Sequence, residues 1–390
     1  MGVQLISPAR LGLQTIVDQV LAGGHRSLEH AETLPPAAYV SEAFYRLEIE
    51  KIFKRDWIGL GHVSQIPNVG DYFTLTLFGE PIVVVRGPDR IRVLSRVCLH
   101  RWAPIVEGKG NAKLFSCPFH KWGYALDGQL LGAPFMEGAA EFQPKSCRLP
   151  EFRSEIVEPL GIIFMSFSDE IAPIGDRLDE LCRRLGNWHL GELVAVWPGR
   201  IEGNFNWKIQ LETGQECYHH FAAHQTTFEI NYPTRLSWCE PSRPAWSVCH
   251  SPPRADVPDE ALTIGLPIFP DLEPEERRVF DLYHIFPQTR LAVFSDRVRL
   301  GILMPLGPTR MRVDTVMLVR PETAARAELV EAKFKAFQPF LDTAAREDND
   351  IDVMQQVGAG ACLTRPGRLS HLEAGIWHLA EYVRAKIAAN

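Results

Sequence analysis

The chain has no apolar run near the ~18–20 residues that a membrane-spanning helix needs. Its longest, Ile82–Val85 and Leu160–Phe167, are of strand length, so no membrane is expected as a partner. Excess charge of one sign is also missing. The formal net charge is −7 over 390 residues, with both signs interspersed, which argues against nucleic acid or an anionic bilayer as partner. The opening MGVQLISPARLGLQ lacks the basic-then-apolar order and the cleavage site of a secretory signal. Gly2 stands four residues before Ile6, where N-myristoylation wants Ser or Thr. A cytoplasmic protein is the expectation. Cysteine is sparse: eight in the whole chain make no disulfide scaffold, and in the cytosol they are expected to stay reduced. Cys147, Cys182, Cys217, Cys239, Cys249 and Cys362 have no regular spacing, which suits small buried hydrophobes.

What is present reads as globular. Hydrophobic residues make up 46% and charged ones 23%, and the length calls for at least two domains. Ser7-Pro8 opens an expected helix over 7–22, stopped by Gly23-Gly24. Ser41 caps a second, reaching about Phe53. From Trp57 to about Phe167 the texture is of short β-rich runs with turns, and PIVVVR-GPDR-IRVLS (81–95) reads as a hairpin. In the second half, 206–221 has helical character and 284–319 reads as consecutive antiparallel strands turning at Pro287-Gln288 and Gly307-Pro308. Residues 322–357 read as helix interrupted at Pro339. A capping box, Ser370 to Glu373, opens the last helix.

Within the β-rich part, VCLHRWAPIVEGKGNAKLFSCPFHKWGY (97–124) contains C-x-H, sixteen residues, then C-x-x-H. Each short pair can reach one metal site from a tight loop. Two thiolates and two imidazoles suit zinc or an iron–sulfur centre. Zinc modules more often keep like ligands together, whereas here each loop brings one sulfur and one nitrogen. That alternation suits a dinuclear cluster with both cysteines on one iron and both histidines on the other. Pro118 and Gly123 are expected to shape the turn, and Trp122 and Tyr124 to shield the site. The stretch resembles the Rieske [2Fe–2S] domain, and CPFHKWGYALDGQL closely follows its second loop. The resemblance implies Cys98, His100, Cys117 and His120 as cluster ligands.

ECYHHFAAH (216–224) is the second dense segment. By spacing alone His220 and His224, at i and i+4, share a helix face. His219 and His224, five apart, need the helix to end or bulge between them. Behind a Rieske domain, however, the segment resembles the catalytic motif of Rieske non-haem iron oxygenases, the terminal (alpha) components typified by ring-hydroxylating dioxygenases. There an acidic residue precedes a histidine by three and a second histidine by eight: Glu216, His219 and His224. Asn206-Trp207-Lys208 and Glu212 match the same pattern. So does AREDNDIDVMQQVG (345–358), whose Asp348, with Gln356, fits the family's distant carboxylate best, with Asp350 and Asp352 as rivals.

The resemblance implies an α+β chain: an N-terminal helical extension (1–38), an all-β Rieske domain (39–167), and a catalytic domain of helix-grip type (168–390), an antiparallel sheet wrapped around a helix. It implies a mononuclear Fe(II) on His219, His224 and Asp348. Glu216 would link His219 to a cluster histidine, His120, of a neighbouring subunit in a homotrimer or a multiple of one. The implied activity is oxygenation, by O2, of a small organic substrate. Ring dihydroxylation and oxidation of a quaternary ammonium compound both remain open, as does a pure electron carrier. Thr213-Gly214, Gln225 and a Glu rather than Asp at 216 depart from the ring-dihydroxylating pattern, and such a Glu is commoner in the carnitine, choline and betaine oxygenases. GAGA (358–361) is no nucleotide loop, so NAD(P)H is expected to be oxidised by a separate reductase, directly or through a ferredoxin. His220 and the isolated His25, His30, His62, His189, His250, His284, His371 and His378 are expected to be structural. Trp207, Trp238, Trp246 and Phe228 are candidates to line a pocket, or to form a cationic cage, although core packing suits each of them.

Overall fold

The computed structural model describes residues 7–24 and 27–389; the Gly2 and His25 readings fall outside them. The expected first helix begins as a separate 3-10 turn (Pro8–Arg10) and restarts as α1 (Leu13–Ala22), because Gly12 adopts an extended conformation between them. The Ser41 hydroxyl accepts the Phe44 N–H and caps α2 (Glu42–Glu48), which runs on into a π-helical turn, Ile49–Phe53.

Ten short strands follow, in three antiparallel sheets: β1 (Ile58–His62), β2 (Asp71–Leu77), β3 (Glu80–Arg86), β4 (Ile91–Ser95), β5 (Lys109–Asn111), β6 (Phe115–Ser116), β7 (Gly123–Tyr124), β8 (Leu130–Gly132), β9 (Arg153–Val157) and β10 (Ile162–Ser166). Their orders are β1-β10-β9, β4-β3-β2-β5 and β6-β7-β8. The predicted 81–95 hairpin is β3–β4. A small separate core of Val83, Leu94, Ile105, Phe115, Trp122, Tyr124 and Leu130 surrounds Cys98 and Cys117.

After α3 (Ile174–Arg184) the chain builds one seven-stranded antiparallel sheet from β11 (Val194–Gly203), β12 (Trp238–Cys239), β13 (Trp246–His250), β14 (Asp281–Ile285), β15 (Thr289–Val293), β16 (Val298–Gly307) and β17 (Arg310–Val319), in the order β11-β17-β16-β15-β14-β13-β12. The helices are α4 (Trp207–Thr213), α5 (His220–Ala223), α6 (Phe228–Asn231), α7 (Pro321–Ala324), α8 (Ala327–Ala359) and α9 (Ala374–Ala388). The chain is thus α+β, as expected. The Gln288 side chain ties β1 to the large sheet, donating to the Gly59 carbonyl at 3.0 Å and accepting its N–H at 3.3 Å.

Three expectations need correction. The helical stretch 206–221 stops at Thr213. Arg290 donates to the carbonyls of Gln210 and Gly214, satisfying groups a continuing helix would have used. A Cβ on residue 214 would collide with that guanidinium, which explains the Thr213-Gly214 departure. Pro339 does not interrupt α8, which runs 33 residues through it. The proline sits on an exposed position of the helix. Cys239 and Cys249 are not separate thiols: they face each other across β12 and β13 and are joined as a disulfide. No helix among the described residues is long and apolar enough to cross a membrane.

Candidate metal centres

The two Cys/His loops are built alike. In the first, the Cys98 N–H donates to the Ala103 carbonyl and the Trp102 N–H to the Cys98 carbonyl. In the second, the Cys117 N–H donates to Trp122 and the Lys121 N–H to Cys117. Each turn closes through a left-handed residue four places after its cysteine, Trp102 (φ 61°) and Lys121 (φ 60°). These, rather than Gly123, which lies in β7, make the turns. Cys98 and Cys117 are free thiols, each 1% exposed. The rings of His100 and His120 lie 4.6 Å apart, with His100 stacked on Trp122 at 4.8 Å. The Tyr124 hydroxyl lies 3.3 Å from Cys98 Sγ and accepts the Leu99 N–H, so both expected shielding residues are in place.

In the second segment, His219 and His224 stand at the two ends of the single-turn helix α5. That is how residues five apart come to face one point. His224 Nε2 lies 2.9 Å, and His219 Nε2 3.5 Å, from Asp348 Oδ1. The outer nitrogens meet carboxylates too: His219 Nδ1 lies 2.6 Å from Glu216 Oε1 and His224 Nδ1 2.7 Å from Glu347 Oε2. Burial would push the His219 ring down, but Asp348 and then Glu216 raise it to about 10. The three rings of His219, His220 and His224 offer nitrogens within 4.8 Å of one another. His220 differs, however: its Nδ1 sits 3.4 Å from the Tyr232 carbonyl, its ring stacks on Phe228, and burial pulls it down to about 3. Of the rival carboxylates, Asp350 is exposed. Asp352 is buried and accepts the Thr213 hydroxyl at 2.6 Å. Gln356 accepts the Asn206 N–H and donates to the Tyr39 carbonyl, locking α8 to α4.

The family described as "Ring hydroxylating alpha subunit (catalytic domain)" matches residues 185–389, and the Rieske [2Fe-2S] domain matches residues 56–146. The chain belongs to the ring-hydroxylating alpha subunits. Among curated relatives, putrescine 2-hydroxylase of Ralstonia nicotianae is 48% identical over 190 residues, 48% of each chain. The alpha subunit of 2-aminobenzenesulfonate 2,3-dioxygenase from Alcaligenes sp is 30% identical over 325 residues, 77% of this chain and 78% of that one. For the first curated relatives it matches, the aligned part spans about half of their length. Naphthalene 1,2-dioxygenase from Rhodococcus sp. superposes with a TM-score of 0.79 at 22% identity, covering 96% of this chain and 98% of that one, which shows the shared fold.

The residues fit the two groups that such an alpha subunit implies. His100 Nδ1 and His120 Nδ1 are buried with no hydrogen-bond partner, an orphaned state that a bound cluster relieves. At the other centre, two imidazoles and one carboxylate converge, and each imidazole is oriented by an outer carboxylate. Sequence reasoning missed Glu347. Its position beside Asp348 was the only available signal.

Both histidine rings open onto a cavity of about 330 Å³ between α8 and the large sheet. Of the four aromatics expected as candidates, Phe228 lines it, with Phe280, Phe294, Phe337 and Phe340. Trp207 and Trp246 are instead buried in the main core, and Trp238 lies exposed on β12 against His250. The tryptophan cage is therefore not formed.

Proposed function

We propose that this alpha subunit is the terminal oxygenase of a multicomponent system that uses O2 and reductase-supplied electrons to hydroxylate, or oxidatively demethylate, a small organic substrate. The observation that carries this reading is the convergence of His219 and His224 Nε2 on Asp348 at the wall of a ring-lined cavity. When bound, a Rieske cluster and an Fe(II) ion would supply single electrons and O2 activation.

The chain's own residues then divide the work. Cys98, His100, Cys117 and His120 hold the cluster, and His219, His224 and Asp348 hold the iron. Glu216 and Glu347 fix the ring orientation of His219 and His224 through their Nδ1 atoms. The phenylalanines exclude water and position an apolar body beside the histidines. Glu216 is also assigned the link to His120 of a neighbouring copy, in a trimer or a multiple of one. Electrons come from NAD(P)H through a separate reductase or ferredoxin.

Iron content and the electron paramagnetic resonance spectrum of dithionite-reduced, anaerobically purified protein test this. About three irons per chain with a Rieske-type signal are expected. About two irons, with no gain on adding Fe(II), would leave an electron carrier. Zinc without a cluster signal would overturn both assignments.

A further inference from the structure

Three arginines line the cavity, and they are not in the same condition. Arg297 is neutralised by Asp296 and lies over the rings of Phe294 and Phe337, at 3.9 and 5.0 Å. Arg290 donates to the Gln210 and Gly214 carbonyls at 3.3 and 3.1 Å. Arg299 has no hydrogen-bond or ion-pair acceptor among the described residues.

Strand register explains the exposure of its head group to the cavity. Arg299 on β16 stands opposite Ala292 on β15 and Met317 on β17, while Arg290 stands opposite Gly301, two residues along β16. Directly opposed residues and those two apart share a face. Both guanidinia therefore rise from the same wall, and Ala292 and Gly301 are too small to cover them. Burial, then repulsion from Arg290, pulls the Arg299 pKa down to about 10, which leaves it charged at neutral pH. The carboxylates lining the cavity, Glu216 and Asp348, are already engaged by His219 and His224. Asp348 offsets this only through space; an enclosed cation with no acceptor in contact is costly, and this one lines the space that a substrate would fill.

We propose that the substrate carries a carboxylate or sulfonate that seats on Arg299, with its apolar body against the phenylalanines of the α8 side. A planar guanidinium takes such a group through two parallel N–H···O bonds. A diamine or other purely cationic substrate would meet Arg299 and Arg290 as like charges. The proposal rests on the cavity being the oxygenase site, and the experiment separates the two ideas.

Calorimetric titration of the metal-loaded enzyme with benzenesulfonate, benzoate, benzamide and 1,4-diaminobutane measures binding without turnover. Oxygen uptake with a chemical electron donor is followed on the same samples. The anions should bind at least about 30-fold more tightly than benzamide or the diamine. Arg299→Met should lose that preference and Arg299→Lys should keep part of it, with melting curves confirming the fold. No anion binding, or equal or better binding of benzamide or the diamine, overturns the proposal even if a variant fails to fold. So does anion binding unchanged in Arg299→Met. Diamine-coupled oxygen uptake that survives Arg299→Met would refute the anion subsite and leave the oxygenase standing. Anion binding lost in Arg299→Met, in protein that holds cluster iron but takes up no Fe(II) at His219, His224 and Asp348, would support the subsite and refute the oxygenase.

Discussion

Glu347 Oε2 lies 2.7 Å from His224 Nδ1, and the next residue, Asp348, meets the opposite nitrogen of the same ring at 2.9 Å. One imidazole is thus gripped on both edges by successive residues of α8. Glu347 also accepts the Thr227 hydroxyl at 2.8 Å, so its carboxylate is itself held in place. Removing it in Glu347→Ala should lower affinity for the mononuclear iron about 10–100-fold while leaving the cluster absorbance intact. Competition with a chelator measures this; unchanged retention would remove Glu347 from the site.

Asp348→Ala and His219→Ala should each abolish turnover and lose the mononuclear iron without changing the visible spectrum of the cluster. Asp350→Ala is the control, because that carboxylate is exposed and pairs with neither histidine. A turning-over Asp348→Ala protein would sink the ligand assignment.

Glu216→Gln keeps a hydrogen-bonding group against His219 but loses the charge. Both metals should stay bound, and electron transfer between centres should slow. Single-turnover kinetics with pre-reduced protein provide the measurement, and wild-type rates would argue against the link.

Lys208 and Glu48 are both fully buried, 2.6 Å apart. Lys208 also donates to the Ala38 carbonyl and to Asn206 Oδ1, so this pair fastens α4 to α2. Burial pulls the lysine pKa down and pushes the glutamate up, each opposed by its partner. Glu48→Ala strands the ammonium and should cost about 3–5 kcal/mol in denaturant unfolding. A loss near zero would mean that water reaches the site.

His62 and His378 are buried in neutral form. Burial pulls His62 down to about 4 against an opposing bond to the Leu190 carbonyl, and burial alone takes His378 to about 4. Folded values below the unfolded value of about 6.5 mean that stability is complete above that pH and is lost as pH falls toward 4. Each ring adds a slope of up to about 1.4 kcal/mol per pH unit in that window. Urea unfolding near pH 7 and near pH 5 should show wild type losing more stability than His62→Gln; equal losses would contradict the burial argument.

The sequence by itself determined the parts of this protein whose chemistry lies in local spacing. C-x-H and C-x-x-H place a thiol and an imidazole on one tight turn wherever that turn sits, and β-branched runs around Gly-Pro-Asp pair as β3–β4 whatever they pack on. The capping box at Ser370 likewise formed, with the Ser370 N–H donating to Glu373. What tertiary structure decided were relations between segments far apart in the chain. Helical spacing favoured His220 over His219. Arg290, reaching across from β15, ends α4 at Gly214 and leaves only one helical turn before His224. Asp348 could not be told from Asp350 or Asp352 by composition, because which carboxylate faces the histidines depends on how α8 rotates against α4. Glu347, Arg299 and the Cys239–Cys249 pair carry no local signature either. Their partners, or in the case of Arg299 the missing one, are set by strand register and helix packing across more than local separations, where each contact exists only once the whole sheet has formed.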